Sequence, residues 1–186
     1  MATALSTFKA ALAHGGARPS LFDISISTAT NVSGMTDAIE TLCNVSAIPP
    51  LTITPIERQY FGRTVKIPGD IVFGDLTTSI INTEDMEIKQ TLEEWMEAIN
   101  GAEDNIGYSD STSMYGDVIL TQYSKDGDPL MHWTFVDCWP TAIAEVALSY
   151  DTASDIEQFD VTWAYNYYTQ EKGSSTHIDA TFSNQE

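Results

Sequence analysis

Cysteine and histidine are scarce in this sequence, and long apolar runs are missing. The 186 residues include two cysteines and three histidines, namely Cys43, Cys138, His14, His132 and His177. Two cysteines so far apart build no disulfide framework, and we expect buried thiols, with a single bridge as the alternative. The histidines lack the spacing typical of metal ligands. No apolar run approaches the roughly 20 residues of a membrane span, which predicts no membrane association.

Positive charge is also scarce. Eight Lys and Arg stand against 27 Asp and Glu, which gives a net charge of −19, and the acids are spread along the whole chain. Such a surface repels duplex DNA, because affinity for DNA comes mainly from cationic side chains that displace counterions. High net charge ordinarily serves solubility. The alternative interpretation is a surface past which nucleic acid moves without binding.

Sequence signatures of catalysis are missing too. There is no nucleophile elbow, phosphate-binding loop or dinucleotide-binding fingerprint. Among 27 acidic residues some pair can always be placed as the acid and base of a glycosidase, so such a pair carries no information. Residues 1–19 lack the uninterrupted apolar core of an export signal. We therefore predict a protein made in the cytoplasm that is not an enzyme and needs no cofactor or metal.

The composition of the chain favours one folded domain. Apolar residues make up 42% and aromatic residues 10% of the sequence, which argues against disorder. A chain of this length buries roughly two thirds of the surface that it exposes when unfolded. We predict a single domain over residues 1–168, in which residues 1–19 form an N-terminal arm or weak helix. Residues 169–186 are predicted to form a polar tail.

Alternating polar and apolar residues predict strands in several places. They occur at 21–27, 39–48 and 72–82. Asp126-Gly127 lies between two further strand-like runs and predicts a hairpin turn, since such turns need positive φ. Together these segments predict a mainly β fold with antiparallel strands.

One helix is predicted over residues 83–100. Its apolar stripe has the spacing of a helix face and consists of Ile88, Leu92, Trp95, Met96 and Ile99. Asn82 or Thr83 is expected to cap the start of the helix, and Asn100-Gly101 is expected to end it. We expect the stripe to cover a sheet and to belong to the core.

Residues 49–70 combine four prolines with three of the eight cationic residues. Prolines at these intervals suit an extended excursion or edge strands rather than a central sheet. Arg58, Arg63 and Lys66 stand together in an otherwise acidic chain. They form either a solvated loop or a patch that meets acids on a neighbouring subunit, since complementary charge sets register and specificity.

The stretch ALSYDTASDIEQFDVTWAYNYY at 147–168 predicts a strand pair that follows a connection beginning at Trp139-Pro140. In the last strand an aromatic face carries Phe159, Val161, Trp163, Tyr165 and Tyr167, and a polar face carries Asp160, Thr162, Ala164 and Asn166. In the predicted partner strand Val146, Leu148 and Tyr150 lie opposite Glu145, Ala147 and Ser149. One side is expected to be core, and the other faces solvent or another wet surface.

Five segments, in order, resemble the tail tube protein of contractile-tailed bacteriophages of the T-even type. They are ARPSLF at 17–22, TLCNVSAIP at 41–49, KIPGDIVFGDLTTSIINTED at 66–85 with the following helix that ends EEW, WPTAIAEVALSYD at 139–151 and IEQFDVTWAYNYY at 156–168. The loop near 101–114 and the tail beyond residue 168 depart from the family pattern.

The resemblance implies a β-sandwich or barrel with one helix packed on it. It implies hexameric rings whose inner sheets join into a continuous β-barrel and which stack into a tube inside a contractile sheath. The implied partners are other copies of the chain, the tail sheath protein, and baseplate and tail-terminator proteins. Phage DNA and ejected proteins pass through the bore without specific binding, and the protein is expected in the virion tail after synthesis in the host bacterial cytoplasm.

Two sets of residues are candidates for lining the bore. One set is Glu145, Ser149, Asp160, Thr162 and Asn166, and the other is Asp75, Thr77 and Ser79. Either set could instead lie on the outside of the tube, under the sheath. Arg58, Arg63 and Lys66 are the candidates for ring stacking, because they are isolated in an acidic chain.

Three other functions compete with a phage tail tube. The first is the inner tube of another contractile injection machine or a phage-like bacteriocin, in which proteins rather than DNA traverse the bore. The second is a monomeric acidic β-sandwich binding module, which should show exposed aromatic residues on a concave face. Most aromatic residues here fall on the predicted apolar faces instead. An enzyme is the third.

Overall fold

The computed structural model of the chain describes residues 2–12, 15–27, 41–103, 105–107, 114–146, 148–149 and 156–173. The helices with defined bounds in these ranges are α1 (Ala2–Ala11) and α2 (Glu87–Ile99), and residues 41–42 are also helical. The strands are β1 (Phe22–Ser27), β2 (Cys43–Ala47), β3 (Leu51–Tyr60), β4 (Arg63–Phe73), β5 (Leu76–Ile81), β6 (Gly116–Tyr123), β7 (Pro129–Ile143), β8 (Gln158–Ala164) and β9 (Tyr167–Lys172).

The strands form one large sheet and one two-stranded ribbon. The large sheet has the order β1-β6-β7-β8-β5-β2, with β9 paired to β7, whereas among the described strands β3 pairs only with β4. The pairs β2–β5, β5–β8, β7–β8 and β3–β4 are antiparallel. The predicted mainly β fold with antiparallel strands and a packed helix is therefore confirmed.

The chain divides into two compact units. The larger unit comprises Ile24–Ile119 and Thr134–Thr169, and the smaller comprises Met1–Asp23, Leu120–Trp133 and Gln170–Glu186. The prediction of a single domain over residues 1–168 stays a prediction.

Helix α2 covers one face of the large sheet in the larger unit. The predicted stripe is confirmed for Ile88, Leu92 and Trp95, which are buried, whereas Met96 and Ile99 are half-buried. On the sheet the buried side chains are Leu76, Ile80, Phe159, Val161 and Trp163. The rings of Trp95 and Trp163 lie 5.9 Å apart, and the Trp163 indole N–H donates to the Thr78 hydroxyl at 2.9 Å. The two-residue alternation of β8 thus places its aromatic side chains in the core.

The start of α2 differs from the prediction. The helix begins at Glu87, and the preceding Met86 has a positive φ of 52° with no side-chain cap. The Thr83 hydroxyl instead donates to the Asp85 carboxylate, and the Asn82 amide donates to Glu157 at 2.5 Å. Both predicted capping side chains are therefore engaged elsewhere, which explains why the cap was predicted wrongly. The predicted end at Asn100 is confirmed.

Two predicted strand boundaries are also wrong. The strand predicted over 72–82 is broken at Gly74-Asp75, where the Gly74 N–H donates to the Pro50 carbonyl at 3.1 Å. A Cβ at Gly74 would lie 2.9 Å from the Pro50 ring, so this close approach favours glycine. The connection predicted at Trp139-Pro140 is instead strand, because the register shift next to Pro140 accommodates its missing N–H.

In the predicted partner strand of β8, residues 145–150, the four described residues are not in a strand. β8 pairs instead with β5 and with the end of β7, and the Ala144 N–H donates to the Asp160 carbonyl at 2.8 Å. Glu145, Val146, Leu148 and Ser149 lie outside any strand, and Leu148 is 84% exposed. β8 itself ends at Ala164; Tyr165 lies beyond it, half-buried against Phe135, and Tyr167 is exposed in β9. Ala147 and Tyr150 lie outside the described residues.

In the smaller unit the predicted hairpin turn is present. Gly127 has a φ of 90°, and the Ser124 hydroxyl accepts the N–H groups of Asp126 and Asp128 at 3.2 Å. The predicted boundary of the tail at residue 168 falls inside β9. Residues 174–186 lie outside the described residues, as do His14 and His177.

Candidate functional site

The two alternative sets of bore-lining candidates meet on one face of the large sheet. Thr77 lies directly opposite Thr162, and Ser79 lies directly opposite Asp160 in the β5–β8 register. Directly opposed residues of an antiparallel pair point to the same side. These four side chains therefore form one patch, here called the polar face: Thr77, Ser79, Asp160 and Thr162.

The remaining candidates lie outside the two paired strands that carry the polar face. Asp75 is exposed in the break before β5, and Glu145 and Ser149 are exposed beyond the end of β7. Asn166 lies in the bend after β8, where its amide donates to the Asp137 carboxylate at 2.8 Å. The structure thus groups four of the eight candidates.

The polar face is small, hydrophilic and weakly charged. Its side chains are three hydroxyls and one carboxylate, and the residues beside it are small or aliphatic, since Ala47 lies opposite Thr77 and Ala142 lies opposite Thr162. Asp160 and Thr77 are exposed, whereas Ser79 and Thr162 are half-buried. Such a surface offers few cationic or aromatic contacts to a passing polymer. Within the described ranges no group of three or more His, Cys, Asp or Glu could hold a metal ion.

The most unusual surface is the ribbon, defined as β3, the turn at Phe61-Gly62 and β4. Every residue of β3 is exposed, and in β4 only Gly69 and Phe73 are half-buried. The exposed large apolar residues of the ribbon are Leu51, Ile53, Ile56, Tyr60, Phe61, Val65, Ile67, Ile71 and Val72. An isolated two-stranded hairpin is only marginally stable in water. Contiguous apolar exposure of this kind marks an interaction surface.

The cross-strand pairs of the ribbon separate the three cationic candidates. Glu57 lies opposite Lys66, with a 3.2 Å ion pair. Tyr60 lies opposite Arg63, and Arg58 lies opposite Val65. Since side chains alternate along a strand, Lys66 points to one side of the ribbon and the two arginines point to the other. The three cationic side chains therefore form no single cluster, and their part in ring stacking stays a prediction.

Sequence reasoning recognised the ribbon as an extended excursion but missed its role as an apolar surface. The missed signal is the density of β-branched residues in LTITPIERQY and RTVKIPGDIVF, which is typical of strands that are packed on a partner. The four prolines give the opposite signal, because proline is unfavourable in central strands.

Two ionisable side chains of the larger unit, one fully buried and one half-buried, have shifted pKa values. Burial raises the pKa of the Cys138 thiol from 9.0 to about 12. Burial also raises the pKa of Tyr165 from 10.0 to about 12, and its hydroxyl donates to the Gly74 carbonyl at 2.7 Å. Cys138 is fully buried and forms no disulfide with Cys43. The prediction of a buried thiol is therefore confirmed for Cys138, whereas Cys43 is half-buried.

These two shifts predict a loss of stability at alkaline pH. A raised pKa in the folded state contributes stability that is complete below the unfolded pKa and is lost as the pH rises toward the folded pKa. For Cys138 the loss begins near its usual pKa of 9.0 and reaches about 2 kcal/mol at a pH of about 10.5. Urea unfolding at several pH values measures it. The Cys138→Ala variant should show a flatter decline than the wild type; an equal decline would contradict the assignment.

No helix within the described ranges is long and apolar enough to cross a membrane.

A protein family described as phage tail tube protein matches residues 17–171. The chain is 26% identical to the tail tube protein gp19 of Enterobacteria phage T4 over 153 residues, which cover 82% of this chain and 90% of the relative. It is 24% identical to the tail tube protein of Serratia phage KSP90 over 170 residues, covering 89% and 95%.

Two solved structures share the fold. A chain of the sheath–tube complex of the extracellular contractile injection system PVC gives a TM-score of 0.58 at 16% identity, covering 84% of this chain and 92% of that chain. A chain of the anti-feeding prophage baseplate gives 0.63 at 8% identity, covering 84% and 96%. The fold is thus that of contractile-tail tube proteins. By its family match, this chain belongs to the phage tail tube protein family, and it is a structural protein of the inner tail tube.

Proposed function

We propose that copies of this chain close into hexameric rings and that the rings stack into the inner tube of a contractile tail. The observation that carries the proposal is the ribbon, whose apolar side chains find no cover in the described part of the chain. In a ring, each copy covers the ribbon of a neighbour. Head-to-tail contacts of this kind close when the rotation between copies fits a whole number of subunits.

The large sheet supports the same assembly. β1 and β2 lie at the two ends of its strand order. Unpaired strand edges are available to pair with another chain, and closure into a barrel removes them. In the proposed ring these edges contribute to a continuous inner barrel whose polar face, Thr77, Ser79, Asp160 and Thr162, lines the bore. Asp160 then repeats around every ring, and repulsion between its carboxylates and DNA phosphates acts over about 8 Å at physiological salt.

The proposed partners follow from a place inside a contractile tail. They are other copies of this chain, the tail sheath protein, and the baseplate and tail-terminator proteins. The protein is made in the bacterial cytoplasm and is incorporated into the virion. DNA passes through the bore without specific binding, and no catalytic role is proposed. Both curated relatives named above come from phages, which favours DNA over protein as the cargo.

Electron microscopy of the purified full chain tests the assembly. Hollow filaments of six-fold stacked rings are expected, with the polar face toward the bore in a reconstruction. Isolated particles of monomer size at every concentration and salt would contradict the proposal. A reconstruction that buries the polar face between subunits would reject its role in the bore while leaving the tube in place.

We expect Asp160→Lys to make the bore retain DNA. The change turns a repeating carboxylate into a repeating cation, and binding through cations falls steeply as salt rises. Tubes of the variant should hold a short duplex at least about tenfold more tightly than wild-type tubes at low salt. The duplex is measured by co-sedimentation.

The matched control is Glu94→Lys, because Glu94 is exposed on α2 rather than on the polar face. It makes the same change of net charge. If both variants retained the duplex equally, the location of Asp160 in the bore would be rejected.

A further inference from the structure

The tip of the ribbon has a strained and exposed aromatic residue. Phe61 and Gly62 form the two-residue turn between β3 and β4, with φ values of 45° and 77°. Positive φ at both positions suits Asn-Gly, whereas phenylalanine is unfavourable there. Phe61 is also 90% exposed. Its ring packs edge-on against the ring of Tyr60, with 4.6 Å between the ring centroids. Neither local backbone preference nor burial within the described chain accounts for phenylalanine at this position.

The two sides of the ribbon near the tip differ in the hydrogen bonds and ion pairs that their polar side chains form. On one side the Gln59 amide donates to the Thr64 hydroxyl at 2.8 Å, next to the Lys66–Glu57 ion pair. On the other side lie Arg58, Tyr60, Arg63, Val65 and Ile67. The two arginines on that side form no ion pair with any residue that the structure describes. That side therefore combines cationic, aromatic and aliphatic side chains. Its positive charges favour an acidic partner.

We propose that this tip is a docking anchor, in which Phe61 inserts into an apolar recess rimmed by carboxylates on a second copy of the chain. Arg58 and Arg63 then pair with the rim, and Tyr60 supports the inserted ring. Aromatic residues and arginine are the residue types that most often dominate binding energy at the centre of an interface. The inference rests on the proposed self-assembly and adds to it the residue that fixes where one copy meets the next.

A second copy has the chemistry that this anchor requires. The chain has a net charge of −19, so its surface attracts an arginine pair. Outside the ribbon, three strongly exposed aliphatic side chains lie within three residues of a carboxylate. They are Ile106 near Glu103, Leu148 near Glu145, and Ile156 near Glu157, with exposures of 70%, 84% and 70%. Each places an exposed aliphatic residue close in sequence to an acid, and these are the two residue types that Phe61 and the two arginines need.

The substitution Phe61→Asn separates docking from folding. Asparagine favours positive φ, so the variant relieves the turn and should leave the ribbon at least as well formed as in the wild type. If Phe61 serves only the fold, assembly should then be unchanged or improved. If Phe61 is the anchor, the concentration at which sedimentation velocity detects rings or filaments should rise at least about tenfold. The conservative variant Phe61→Trp keeps an aromatic side chain and should assemble within about threefold of the wild type.

Photo-crosslinking identifies the partner. With benzoyl-phenylalanine at position 61 of the full chain, illumination of assembled protein should join two copies, and digestion should find the link beside a carboxylate. Assembly of Phe61→Asn at the wild-type concentration, or no link between copies in assembled protein, would overturn the anchor. A link to added duplex DNA in place of a second copy would also overturn it. If wild-type protein never assembles, the proposed function fails first, which distinguishes the two failures.

Discussion

Replacing two cross-strand isoleucine pairs of the ribbon by threonine is expected to abolish tube formation while leaving the subunit folded. The pairs are Ile53–Ile71 and Ile56–Ile67. All four side chains are between 46% and 54% exposed, so the isolated subunit loses little when they change. Threonine keeps the β propensity of the strands. Assembly loses the burial of four apolar side chains, roughly 3–6 kcal/mol in total at ordinary transfer values.

A loss of that size raises the concentration needed for assembly at least about a hundredfold. Sedimentation velocity and electron microscopy measure it, and circular dichroism checks that the variant is folded. The control is Ile119→Thr, because Ile119 is 38% exposed in a strand outside the ribbon. Filaments of the fourfold variant at the wild-type concentration would show that the ribbon is not an assembly surface.

Truncation of Trp163 is expected to have the largest effect on the stability of the subunit. Trp163 is fully buried, packs against Trp95 and donates its indole N–H to Thr78. Trp163→Ala should lower the free energy of unfolding by about 3–5 kcal/mol, because it removes a large side chain and leaves a cavity between helix and sheet. Urea unfolding, followed by circular dichroism, measures the change.

Two further variants show whether the loss comes from packing. Thr78→Val removes the acceptor of the indole N–H and should cost about 1–3 kcal/mol, less than the truncation. Leu148→Ala changes a side chain that is 84% exposed and should leave stability nearly unchanged. A loss below about 1 kcal/mol for Trp163→Ala would contradict the described core.

Local periodicity predicted the parts of the fold that depend on near neighbours in sequence. The stripe of α2 and the alternation of β8 follow directly from burial of one face, so both were predictable. The pairing of β8 was not, since its partners β5 and the end of β7 are set by register across the sheet. The length of β7 was not predicted either. Proline is unfavourable in a central strand, but the register shift next to Pro140 accommodates it there.

The candidate site shows the same division. Alternation correctly placed Asp160 with Thr162 and Thr77 with Ser79, but only the β5–β8 register shows that the two pairs form one polar face. Glu145 and Ser149, which were predicted to lie on a strand paired with β8, lie outside any strand. The ribbon was missed as an apolar surface because the four prolines of residues 49–70 argue against a packed strand, whereas its β-branched residues favour one, and only the strand pairing with its exposed side chains shows which signal prevails.

The exposed ribbon also bears on how growth begins. A lone subunit exposes its apolar ribbon to other subunits of the same charge. Repulsion at a net charge of −19 disfavours dimers that form by collision in solution. In the proposed assembly, a completed ring offers several docking places at once, so an added subunit gains more contacts against the same repulsion. We therefore expect elongation from a pre-existing end to outrun spontaneous initiation, which leaves the timing of growth to the template on which the first ring forms.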